Sequence, residues 1–228
     1  HPDDVELSCS GTLLSHIDLG FSVGLLDLTR GELGTRGNAE IRAREGESSR
    51  QLMGAVFRHQ LDLGDGFFEV EQGSLLAVIR VIRACRPKIV LANALSDRHP
   101  DHAKGAELTA RACFLSGLQK IETNHQGKQQ ETWRPDLVLH YIQDHFLEPD
   151  ILVDISTYYE KKLALIRCFD TQFYDPESKE PETPISSKQF WDFLEARARS
   201  FGRPINAEYA EGFQSKRHLG IRNLSQIL

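Results

Sequence analysis

The chain has 228 residues, which suits one domain of good size or two small ones with a buried core, and its 40% hydrophobic and 26% charged residues are ordinary for a soluble globular protein. A net charge of −6 argues against a nucleic-acid surface, because phosphate binding needs clustered Lys and Arg in excess. No apolar run approaches the roughly 18 residues that a bilayer crossing requires.

The chain opens directly on HPDD, with no initiator Met and no strand ahead of it, which points to a segment missing upstream. VELSCSGTLLSHIDLG (5–20) has helical apolar spacing and ends on Gly20, a C-terminal cap. FSVGLLDL (21–28) is a continuous apolar run between glycines and is predicted to be a buried strand. AEIRAREGESSRQLMGAVF (39–57) and GSLLAVIRVIRAC (73–85) are predicted helices, the second stopped by Pro87. KIVLAN (88–93) is a strand and DHAKGAELTARACFLSGL (101–118) the helix after it. The polar stretch 119–136 is a surface excursion, followed by strands DLVLHYI (136–142) and DILVDI (150–155). Helical patterns at 156–169 and 186–202 flank YDPESKEPETP (174–184), a Pro-rich acidic loop that could serve as a lid or a linker. Strands and helices thus alternate, and Val and Ile enrichment without strict alternation suggests strands covered on both faces. The expected fold is one α/β domain over residues 1–228, with a Rossmann-like, mostly parallel sheet flanked by helices and its first strand missing. The four cysteines, Cys9, Cys85, Cys113 and Cys168, are scattered without a CxxC pair and read as reduced, mostly buried thiols of a cytoplasmic protein.

The tripeptide His-Pro-Asp occurs twice, in HPDD (1–4) and in RHPDH (98–102), although composition predicts on the order of a few hundredths of one copy. Both copies are expected to follow a strand and open a helix. Pro at the first helical position and Asp in the first turn are ordinary helix starts. That does not explain His before Pro both times, nor the additional Asp4 and His102. In an open α/β sheet, ligands gather at the carboxyl ends of strands. Two imidazoles and a carboxylate brought together there suit a catalytic zinc with an open fourth position. Ferrous iron could occupy the same donors. A spare carboxylate, Asp3 or Asp101, could take a proton from water, and His99 could stabilise an oxyanion or protonate a leaving amine. The residues alone do not rank Asp3 against Asp4, or His99 against His102, as ligands. A rival class is a non-catalytic nucleotide- or sugar-binding module, which should purify without stoichiometric metal.

HPDD, then GELGT with an IRAxE segment, then HPDH, resembles the PIG-L/LmbE family of zinc-dependent N-acetylglucosamine deacetylases over nearly the whole chain. The resemblance implies His1, Asp4 and His102 as zinc ligands and Asp3 as general base. It further implies that His99 stabilises the tetrahedral intermediate and that Asp101 orients its neighbours. LGDGFF, LANALSDRHPDH, TQFYDP and YAEGF look like the branch that deacetylates N-acetylglucosaminyl malate in bacillithiol biosynthesis. Chitooligosaccharide ends or another N-acetylglucosamine conjugate are alternative substrates. GELGTRG (31–37) is expected to line the site, and Arg42, Arg98 and Gln172 are candidates for substrate contact, since Arg pairs with carboxylates in a bidentate fork. The expected partners are a small N-acetylglucosamine-containing substrate and further copies of the chain in a homo-oligomer. Phe67–Phe68 is expected to be core or subunit contact, and His16, His59, His125, His140, His145 and His218 are ordinary surface or core histidines.

Overall fold

A computed structural model describes residues 1–223. In chain order the main elements are α1 (Asp4–Ser8), α2 (Ser10–Asp18), β1 (Gly24–Asp27), α3 (Ala39–Met53), β2 (Phe57–Gln60), α4 (Gln72–Cys85), β3 (Ile89–Ala92) and α5 (Pro100–Leu115). They continue with β4 (Asn124–His125), β5 (Lys128–Gln129), β6 (Leu137–Tyr141), β7 (Ile151–Asp154), α6 (Tyr159–Ile166), α7 (Lys188–Gly202) and β8 (Ala210–Gln214). The α/β expectation holds. β1 pairs with β2 and β3 with β6, both in parallel. The far side of the second sheet departs from the parallel expectation. Its order is β3-β6-β8-β7, and β8 runs antiparallel to both neighbours.

Helix α4 places Leu75, Val78, Ile79 and Ile82 on one buried face, against Leu108 and Ala112 of α5 and Leu28 beyond β1. These positions recur at the helical spacing, and each fully buried aliphatic side chain contributes about 1.5–3 kcal/mol. A second cluster gathers Leu7 of α1 with Ile166, Phe169, Phe173 and Leu194. It seats the short α1 on the C-terminal helices. The predicted helix over 5–20 is in fact two, broken at Cys9, whose backbone leaves the helical region (φ −142°, ψ 12°). A buried carboxylate from the other end of the chain completes the break. Glu211 of β8 accepts hydrogen bonds from Gly11 N (3.0 Å), Thr12 N (2.8 Å) and Thr12 Oγ1 (2.6 Å) at the start of α2. Lys162 of α6 donates to Glu211 (2.6 Å) and to the Leu7 carbonyl (3.0 Å), which Arg197 also reaches. The Leu7 carbonyl before the break and the Gly11 and Thr12 N–H groups after it are thereby satisfied.

All four cysteines are free, Cys9 and Cys113 buried, Cys168 half-buried and Cys85 exposed. Phe68 belongs to the core while Phe67 is 80% exposed. Among the described residues no helix is long and apolar enough to cross a membrane.

Candidate active site

The site forms where the first residues of the chain meet the carboxyl ends of β1, β3 and β6. Leu28 and Thr29 after β1 and Asn93 after β3 line a cavity of about 10 Å³ together with His1, Asp4, Phe68, Asp101 and His102. That is room for about one water-sized sphere. Gln143, just past β6, donates to Asp4 Oδ1 (2.7 Å). Gly105 on α5 lets Asn93 come close, since a Cβ there would stand 2.9 Å from Asn93 Oδ1.

Both His-Pro-Asp motifs open helices, but with different registers. In the second, His99 is the N-cap of α5, Pro100 its first residue, and His99 Nδ1 accepts from Asp101 N (3.2 Å). In the first, Asp3 is the N-cap and α1 begins at Asp4. Asp3 holds φ 104°, a left-handed conformation that costs a non-glycine residue about 1–3 kcal/mol and clusters at functional sites.

The structure brings the motif residues together. Nitrogen atoms of His1, His99 and His102 all lie within 4.8 Å of one another, and so do ligand atoms of His1, Asp65 and Asp101. His102 Nε2 stands 3.2 Å from Asp4 Oδ1. Asp4 also meets the main-chain nitrogen of His1 (2.7 Å) and so bridges the two expected histidine ligands. The expected trio of His1, Asp4 and His102 is not itself one of the sets gathered within 4.8 Å among the described residues. The donor chemistry nonetheless fits a divalent metal: imidazoles converge with buried carboxylates on a water-sized cavity, and Asp101 Oδ1 is buried without a partner.

Electrostatics separate the two acids of HPDD. Burial pushes the Asp3 carboxyl up to about 7, against the pull of the Arg42 guanidinium. Burial acts the same way on Asp4, but His102 and His1 outweigh it and hold that carboxyl well below the usual range. Burial opposes protonation of His102, yet Asp4 and Asp97 lift it to about 9. Burial and the neighbouring His1 and His102 keep His99 below the ordinary imidazole value.

Arg42 and Gln172 lie beneath Asp3 as one buried chain. Arg42 Nη2 donates to Asp3 Oδ2 (2.9 Å) and to the Pro2 carbonyl, and Nη1 to Gln172 Oε1 (2.9 Å). Gln172 Nε2 in turn donates to the Arg36 carbonyl (2.9 Å). The terminal nitrogens of Arg42 and both polar atoms of Gln172 are thus engaged within the chain. These bonds tie Arg42 and Gln172, both expected from sequence as substrate contacts, to Asp3 of the HPDD motif. Gly31 makes room for this arginine: its φ is +66°, and a Cβ would stand 3.1 Å from Arg42 Cζ. Arg98 is exposed and pairs with Asp144 Oδ2 (2.9 Å). Arg36 anchors the 174–184 loop by donating to the carbonyls of Pro181 (2.6 Å) and Glu180 (3.3 Å).

Asp65, Asp97, Asn93 and Gln143 were not singled out from sequence. Asp65 Oδ1 lies 2.9 Å from His1 Nε2, and Asp97 Oδ2 lies 2.5 Å from His102 Nδ1. The only signal for Asp65, Asn93 and Asp97 was the family likeness of LGDGFF and LANALSDRHPDH, and Gln143 carried none.

Residues 1–113 match the family model PIG-L, GlcNAc-PI de-N-acetylase. A conserved protein of Thermus thermophilus, TT1542, is 32% identical in its crystal structure, with a TM-score of 0.85 over 97% of this chain and 94% of that one. Diacetylchitobiose deacetylase of Thermococcus kodakarensis is 29% identical over 94% of this chain and 79% of its own length. A 4-oxalmesaconate hydratase of Pseudomonas putida is 21% identical over 100% of this chain and 83% of its own length.

Proposed function

Because the chain belongs to the PIG-L family, we propose that it is a metal-dependent N-deacetylase that hydrolyses the acetamide of an N-acetylglucosamine conjugate, with N-acetylglucosaminyl malate as substrate. The observation that carries this reading is the convergence of His1, His99 and His102 beside a water-sized cavity. His1, Asp4 and His102 would hold the ion. Zinc, or ferrous iron, supplies Lewis acidity there, polarising the amide carbonyl and acidifying water.

The remaining steps belong to the chain's own side chains. Asp3 takes the proton of the attacking water on Oδ1, since Arg42 holds Oδ2. A carboxyl group whose pKa lies near 7 both accepts and returns a proton at neutral pH. His99 accepts from Asp101 N through Nδ1, so its neutral tautomer carries the hydrogen on Nε2. That N–H donates to the oxygen that gains charge as the carbonyl is attacked. As the C–N bond breaks, Asp3 returns its proton to the amine nitrogen, and acetate and glucosaminyl malate leave. Arg98, next to His99 and exposed, meets a malyl carboxylate after exchanging its partner Asp144.

A second reading keeps the chemistry and changes the substrate to a chitooligosaccharide, and the similarity to diacetylchitobiose deacetylase favours it. One experiment separates them: amine release from N-acetylglucosaminyl malate, diacetylchitobiose and free N-acetylglucosamine, with and without a chelator. Chelator-sensitive release from the malate conjugate alone supports the first reading. Faster release from diacetylchitobiose selects the second. No release from any of them, by folded and metal-loaded protein, overturns the deacetylase and turns attention to water addition of the kind the hydratase's name describes.

A further inference from the structure

Asp65 and Asp97 share one arrangement on opposite sides of the site. Each carboxylate gives one oxygen to a histidine of a His-Pro-Asp motif and the other to main-chain N–H groups of a loop. Asp65 Oδ1 faces His1 Nε2 (2.9 Å) while Oδ2 accepts from Leu33 N (3.0 Å) in the Gly-rich loop. Asp97 Oδ2 faces His102 Nδ1 (2.5 Å) while Oδ1 accepts from Asp144 N (3.1 Å) and His145 N (2.9 Å). Asp97 is fully buried at its side chain and Asp65 nearly so. Asp101, the orienting acid implied by the family likeness, is the more distant partner of His1 (3.3 Å) and spends the same oxygen on Gly66 N (2.7 Å).

We infer that Asp65 and Asp97 are positioning residues that fix the two histidines in opposite tautomers, leaving Nδ1 of His1 and Nε2 of His102 as the metal-binding atoms. An ionised carboxylate accepts hydrogen bonds only, so a ring that is neutral because it holds a metal keeps its hydrogen on the nitrogen facing Asp65 or Asp97 and gives its lone pair to the ion from the other. On His102 that free nitrogen, Nε2, is the atom beside Asp4 Oδ1. The two rings therefore present chemically different nitrogens to one ion, and the loops at 31–37 and 143–146 are tied through the same carboxylates to the ligands. Such partners typically change metal affinity by about 10–100-fold when removed. The inference rests on the metal reading above.

The test is ¹⁵N-histidine NMR of the zinc-loaded protein, joined to zinc affinity by competition with a chromophoric chelator. His1 should carry its hydrogen on Nε2 and His102 on Nδ1. Asp65→Asn and Asp97→Asn should each weaken zinc binding by about 10-fold or more with the fold intact by circular dichroism. Glu32→Ala, which removes the acceptor of Asp65 N (2.7 Å) and of Arg30 N (3.1 Å) but leaves the Asp65 carboxylate in place, should stay within about twofold of the parent. Zinc bound with the reverse nitrogens, affinity unchanged in both Asn variants, or an equal loss in Glu32→Ala would each overturn the inference and leave the metal reading standing. A parent protein that binds no zinc would overturn both. The NMR result on the parent decides the matter even if a variant fails to fold.

Discussion

Replacing Glu211 with Gln tests how far the first helices depend on the last strand. Glu211 and Lys162 are each 4% exposed, and the carboxylate gathers four donors: Gly11 N, Thr12 N, Thr12 Oγ1 and Lys162 Nζ. The amide keeps the shape but removes the negative charge paired with Lys162, and it turns an NH2 toward the donors on one side, Lys162 Nζ and Gly11 N or Thr12 N and Oγ1. Removing one partner of a buried ion pair costs about 3–5 kcal/mol. For a chain of this size each kcal/mol moves Tm by about 2–4 °C, so the expected loss is about 6–20 °C in a calorimetric or circular-dichroism melt. An apolar double replacement, Lys162→Met with Glu211→Leu, removes both charges but orphans the Gly11 and Thr12 N–H groups. At about 1–3 kcal/mol each, that forfeits about 2–6 kcal/mol, so the double variant should be no more stable than the parent. A Tm within about 2 °C of the parent for Glu211→Gln, or a double variant more stable than the parent, would refute this account.

Three further outcomes are expected. Asp3→Asn should retain zinc and lose about 10²–10⁴-fold in kcat, measured by amine release; loss of zinc instead would mean that Asp3 and Asp4 exchange roles. His102→Ala should fail to retain stoichiometric zinc by elemental analysis, and full occupancy would refute its place among the ligands. Arg36→Ala removes the tether to the Glu180 and Pro181 carbonyls, so limited proteolysis should cut within 174–184 faster than in the parent, and an unchanged cleavage rate would show that the loop is held by other contacts.

Residues that act in short local motifs were legible in the sequence. HPDD and HPDH each bring several polar groups to one helix start, and the apolar runs through β3 and β6 announce two of the strands beside them. The partners supplied from elsewhere were not legible. Asp65 precedes a glycine and reads as a turn residue, and Asp97 reads as part of a polar loop; only the fold brings them to His1 and His102. The strands β2 (FRHQ) and β8 (AEGFQ) carry charged or amide side chains where a strand pattern expects apolar ones. Their buried charges are neutralised by distant residues, as Arg58 of β2 is by Glu6 and Asp27. The hairpin of β4 and β5 hid in a polar stretch because its signal is a two-residue turn, Gln126–Gly127, both at positive φ. The break at Cys9 was equally invisible, since apolar periodicity continues across it.

The same stapling has a consequence for the order in which the molecule can be completed. Glu211 lies 200 positions from Gly11, which it caps, and β8 enters the sheet between two strands made long before it. During synthesis His1 through His102 emerge well before β8, yet the start of α2, directly behind the helix that carries Asp4, stays uncapped until β8 is released. Contacts of such sequence separation close late and slowly. A chain stopped short of residue 211 would therefore contain every motif residue of the site and still lack the carboxylate that closes the break behind it.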